Sequence, residues 1–170
     1  MATPKKIFFS YSNQEEDLQL YTKINRHFAG YSRIGLVGII DRAELFRTTS
    51  DREQALEEIR KADLAVPLLS IDYVTDEECL QQLDSPENNH VKIVPILLRD
   101  FDWQAFQKIN QYKKEMLPGD QTPVENLLDS TNDDTVFKEI AQSVKAMILP
   151  EISGLELQKT PHTFYYIIYF

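Results

Sequence analysis

Apolar and polar positions alternate along this chain in two distinct rhythms, and their succession predicts strands and helices taking turns. Ile7-Phe-Phe-Ser10 is a short apolar run that predicts a first strand. Ser12 with Glu15, or Asn13 with Glu16, offers a capping box for a helix whose Leu20, Tyr21, Ile24 and Phe28 share one face, with Gly30 as its stop. Ile34–Ile40 predicts a second strand, with Asp41 at its carboxyl end. Residues 42–49 have no clear period and predict a loop. Ser50 and Glu53 then cap a helix that carries Leu56 and Ile59 inward.

Asp63–Leu69 is a continuous apolar run, as a central strand buried on both faces requires. Thr75 with Glu78 forms a capping box for the next helix, and Asp84–His90 predicts a polar turn. Val91–Leu98 is a fourth strand in which Pro95 marks a bulge or an end. Residues 99–131 are irregular, with Phe101, Trp103 and Phe106 set to pack over the sheet edge and Pro123-Val124 a candidate short fifth strand. Asp133 or Asp134 opens a last helix with the stripe Val136, Phe137, Ile140, Val144, Met147 and Ile148, closed by Pro150. This alternation predicts an α/β fold: an open five-stranded parallel sheet with helices on both faces. Residues 1–150 are expected to form the domain and 151–170 a tail or linker, with three readings open for it: the start of a second domain, which is favoured, the start of a membrane segment, or a docking peptide. The tail's Phe164–Phe170 run is far short of the roughly 20 residues a membrane span needs.

Composition narrows the classes of function. Hydrophobic residues at 42% and charged residues at 26% are globular values. A net charge of -9 without a Lys/Arg cluster argues against nucleic-acid binding. Cys79, the single cysteine, rules out an intramolecular disulfide and fits a reducing cytoplasm, while three scattered histidines offer no metal-ligand spacing. The glycines form neither a P-loop nor a dinucleotide fingerprint.

Four stretches in register resemble a TIR (Toll/interleukin-1 receptor) domain of the bacterial kind. They are Ile7–Ser12; Leu68–Tyr73 with Cys79-Leu80; Ile93–Arg99 running to Asp102-Trp103; and Leu117-Pro118 to Pro123-Val124 leading into the Asp133 helix. Together they span about residues 5–149. The resemblance implies a flavodoxin-like sheet and one of two activities: hydrolysis of NAD+ between ribose and nicotinamide, or signalling through homotypic contacts between such domains. It also implies an assembly-activated effector of bacterial defence, with NAD+ as substrate rather than cofactor, self-association, and a sensor domain in the parent protein.

In the enzymes of that family a glutamate on the helix after the third strand faces the nicotinamide ribose, and the resemblance lays it on Gln82. The chemistry makes this departure matter. Cleavage leaves an oxocarbenium-like ribose, so a nearby carboxylate stabilises the transition state more than the ground state. Gln82 keeps the shape and loses the charge. A substituted residue, a natural pseudoenzyme, or a role shifted to Glu78 or Asp84 would each account for it; Glu78 already has the capping box to serve. Ser10, Tyr11 and Ser12, where strand meets helix, are candidates to receive a diphosphate through backbone amides. Asp41 and Arg42 are expected to border the nucleotide, beside a loop to Thr49 that the resemblance makes responsible for substrate closure and self-association. Cys79 stands on the same helix as Gln82 and is the last candidate substrate contact, although a small residue on an amphipathic helix ordinarily packs.

Overall fold

A computed structural model describes residues 3–128 and 132–149. It is an α/β fold in which β1 (Lys5–Ser10), β2 (Val37–Ile40), β3 (Leu64–Leu69), β4 (Lys92–Ile93) and β5 (Ile96–Leu97) build one parallel sheet. The order is β2-β1-β3-β4, and β5 also pairs with β3, continuing the lane of β4 beyond Pro95. Proline has no N–H to give a ladder, so the predicted single strand Val91–Leu98 divides into two short ones around it. The fifth lane is a single parallel bridge from Leu117 to Ile96. Pro123-Val124 does not form it: after the short helix α6 (Gln107–Asn110), Val124 begins another, α7 (Val124–Leu128).

Two apolar layers sandwich the sheet. On one side Ile7, Phe9 and Tyr11 meet Leu20, Tyr21, Ile24 and Phe28 of α1 (Glu15–Arg33) and the Phe137 stripe of α8 (Asp133–Ile148). On the other, Phe8, Ala65 and Leu69 pack under α3 (Arg52–Arg60), α4 (Ile71–Thr75) and α5 (Glu77–Asn88), with Trp103 buried beside them. Successive strand side chains point to opposite faces, so strands covered on both sides must be apolar throughout.

Several helix ends differ from expectation. Gly30 lies inside α1, which runs on to Arg33 and closes through Gly35 at φ +74°, with Leu36 N–H on the Tyr31 carbonyl and Gly35 N–H on that of Ser32. Glycine adopts that left-handed conformation without a Cβ clash, and the paired bonds satisfy the last carbonyls. Neither predicted capping box at the start of α1 forms, since the cap position is Gln14. Ser50 and Thr75 lose the cap role to Asp51 and Asp76, whose carboxylates accept from Glu53 N–H and from Glu78 and Cys79 N–H. Residues 42–48 are not a loop but α2 (Arg42–Thr48), capped by Asp41, whose carboxylate accepts from Glu44 N–H. The expected turn at Asp84–His90 is mostly helix: α5 continues through Pro86 to Asn88. The expected closure at Pro150 and the stretch 151–170 lie outside the described residues.

Candidate functional site

The order of the strands reverses between β1 and β3, and open α/β sheets gather ligands outside the carboxyl ends of the strands at such a point. Ser10 ends β1, Ser70 follows β3, and Asp41 follows β2. Around these ends lies a polar cluster inside an otherwise apolar layer. Gln82, one turn past Glu78 on α5, is 1% exposed. Its Oε1 accepts from Ser10 Oγ at 2.9 Å and from Arg42 Nε at 3.1 Å, and its Nε2 donates to Glu78 Oε1 at 3.4 Å. Tyr73, wholly buried, donates its hydroxyl to Ser10 Oγ at 3.0 Å, with the Cys79 carbonyl as a second acceptor at 3.2 Å. The chain of donors Tyr73, Ser10, Gln82 therefore fixes which way the amide points.

Gln82 does not open onto a crevice, because Arg42 lies over it and is itself 4% exposed. Arg42 also donates to Asn13 Oδ1 at 2.5 Å, pairs with Glu78 at 3.3 Å, and sits 5.7 Å from the centre of the Tyr11 ring. Tyr11 in turn stacks on Tyr21 at 4.0 Å, and Tyr21 donates to Asp41 at 2.8 Å. Ser10, Tyr11, Asp41, Arg42, Cys79 and Gln82 thus come together in one neighbourhood. Ser12 points the other way, to the buried Asp17 at 2.6 Å. The first turn of α1 carries Glu15, Glu16 and Asp17, so an anion at that helix end would face three carboxylates.

Glu78 is half-exposed at the rim of the cluster. The capping box assigned to it from the sequence does not exist, since Asp76 caps α5 and Cys79 occupies the third helical position. Its carboxylate is thereby available to Arg42 and to the Gln82 amide. Asp84, the other alternative carboxylate, faces away into an ion pair with Lys108.

Burial pushes the Cys79 thiol up to about 12, and its Sγ donates to the Tyr11 carbonyl at 3.5 Å. Such a thiol packs rather than attacks. We expect a disulfide reagent at pH 8 to label native Cys79 about a thousandfold more slowly than the unfolded chain, since the thiolate is the reactive form. Equal rates would show the thiol to be ionised and reachable.

The sequence reading missed a second network beneath the same strand ends. Asp17 is fully buried, and its Oδ2 accepts from both Ser12 and Ser70. Its Oδ1 lies 2.8 Å from Arg99 Nε, an ion pair whose N–H is off the line of a hydrogen bond, and Arg99 also pairs with Asp72. A signal existed: Asp17 falls on the same stripe as Tyr21, Ile24 and Phe28, and a carboxylate on a buried face requires a buried partner. A groove of about 370 Å³ lies elsewhere, lined by Arg26, His27, Asp134, Thr135 and Lys138. None of these belongs to either network. Among the described residues no group of acidic, histidine and cysteine side chains could hold a metal, and no helix is long and apolar enough to cross a membrane.

Fold and cluster define an α/β domain of flavodoxin-like sheet order with a polar site at its topological switch point. No family model matches the chain, and no curated protein matches it. Among solved structures it is similar to the TIR domains in the structure of the activated Roq1 resistosome directly recognizing the pathogen effector XopQ. The identity is 16% over 89% of this chain and 99% of that chain, with a TM-score of 0.47.

Proposed function

We propose that this domain is of the TIR kind and that its switch-point cluster acts on NAD+, cleaving the bond between nicotinamide and ribose. The observation that carries this reading is the convergence of Ser10, Arg42 and Gln82 on one buried point beside the carboxylate of Glu78. A developing ribose cation placed there would meet the Gln82 carbonyl oxygen and the Glu78 carboxylate. NAD+ is substrate, and no separate cofactor or metal takes part. The domain would work in the cytoplasm as an effector of bacterial defence, activated when copies associate through the Asp41–Thr49 segment at the command of a sensor domain.

The identity of residue 82 tests the reading. Gln82→Glu restores the charge that the family position carries, and it places a second carboxylate against Glu78, where the amide now donates. The Arg42 guanidinium, within reach of both positions, offsets the repulsion between the two carboxylates and favours the ionised form of the new one. Nicotinamide release under conditions promoting assembly is expected to rise by at least about a hundredfold in the Glu form, or roughly 3 kcal/mol of barrier. Silence from both forms removes the enzymatic reading.

The second reading is a non-catalytic module signalling through contacts with other TIR domains. The observation favouring it is that both polar atoms of Gln82 are engaged and buried, so the amide fits this environment as a native residue. Concentration-dependent oligomers without nicotinamide release from either form would support it.

A further inference from the structure

Three of the four groups around Arg42 have a further contact of their own. Arg42 is the only buried residue of α2, and groups from two separate parts of the chain enclose its guanidinium: Asn13 and the face of Tyr11 from the β1–α1 connection, and Glu78 and Gln82 from α5. Each of three walls has its own support. Ser10 holds the Gln82 oxygen, the Gln82 amide holds Glu78, and Tyr21 stacks on Tyr11. With Arg42 withdrawn, the slot would keep two side-chain acceptors, one formal negative charge and an aromatic face. That is the equipment for binding a flat organic cation.

We propose that this slot is a receptor for a planar organic cation, and that Arg42 is its tethered occupant, exchanging with the ligand when α2 moves aside. Glu78 supplies the charge, Gln82 and Asn13 the directional acceptors, and Tyr11 the π face. The identity of the cation rests on the function proposed above, under which it is the pyridinium ring of the substrate. A ligand reaches the slot only by displacing a guanidinium of the same charge and shape, so the bound ring must be cationic to compete.

The test is binding to the full chain, with 1-methylnicotinamide as the cationic probe and nicotinamide as its neutral counterpart. Arg42→Ala is expected to bind 1-methylnicotinamide at least tenfold more tightly than the unmodified chain by calorimetry, with no gain for nicotinamide. Adding Glu78→Gln to Arg42→Ala should abolish that gain. A folded Arg42→Ala that binds both probes alike, or binds the cation no better than before, overturns the proposal. Should that variant fail to fold, the unmodified chain gives the answer by NMR. Titration with 1-methylnicotinamide should move the Arg42 Nε–H resonance away from its position in the bond to Gln82, and a resonance that stays put at saturating probe overturns the proposal. Cation binding together with silence in the nicotinamide-release assay sustains the slot and removes the enzymatic reading alone.

Discussion

Replacing Asp17 by alanine is expected to lower the stability of the domain by about 3 to 5 kcal/mol. The buried carboxylate accepts from Ser12 and Ser70 and faces Arg99, so it joins the loop after β1, the end of β3 and the segment after β5. Alanine strands all three partners at once. Two hydroxyls lose their acceptor in a place that water does not reach, and Arg99, about one-fifth exposed, keeps only Asp72 as counter-charge. Removing one member of a buried ion pair is worse than never having had it, because the remaining charge stays desolvated. For a domain of this size the loss corresponds to a fall of about 10 °C or more in melting temperature. Asp17→Asn retains the shape and one acceptor oxygen, so its loss should fall between those of the native chain and the alanine variant. Thermal and urea unfolding followed by circular dichroism measure both. A loss under about 1 kcal/mol in Asp17→Ala would mean that the strand ends hold together without the carboxylate.

The same residue shows where sequence reading succeeds and where it stops. β1 and β3 were legible because strands covered on both faces must be apolar at every position, and α1 and α8 because each shows one long apolar stripe. α2 was not legible, because its only buried residue is Arg42 and its Leu45 and Phe46 are half-exposed, which leaves no apolar period to read. Cap positions went to aspartates rather than to the Ser or Thr beside them, since Asp51 and Asp76 stand one residue closer to their helices. A proline normally announces a break, yet Pro86 sits in the last turn of α5, so only two helical residues follow it before the helix ends. The candidate site was half legible. Ser10, Asp41 and Gln82 lie at strand ends or on the following helix, where sheet topology sends them. That Glu78 would be free of capping follows from the local choice of Asp76 as cap, but that Arg42 would fold over Gln82 depends on a contact between residues forty positions apart, and no local pattern encodes it.

The polar cluster also predicts how the domain fails in base. Burial raises the Tyr73 hydroxyl far above its ordinary value of 10.0. It raises Tyr21 as well, with the Asp41 carboxylate adding to the effect, and Tyr11 for the same two reasons. The Cys79 thiol is pushed up to about 12 from 9.0. In the unfolded chain these groups titrate at their ordinary values, so between pH 9 and the raised values the unfolded state has released protons that the folded state still holds. Stability therefore falls as pH rises through that window, and below pH 9 these groups contribute no pH dependence. Tyr73 and Tyr21 each remove about 1.4 kcal/mol for each pH unit above 10 for as long as the fold keeps them protonated. A domain of ordinary stability, about 5 to 15 kcal/mol, is then expected to unfold cooperatively near pH 11 to 12. Far-ultraviolet circular dichroism should collapse in the same step in which the late-titrating phenolate absorbance appears. Smooth ionisation of every tyrosine around pH 10, with the helix signal intact, would place Tyr73 and Tyr21 in contact with water and dissolve the closed cluster on which the site depends.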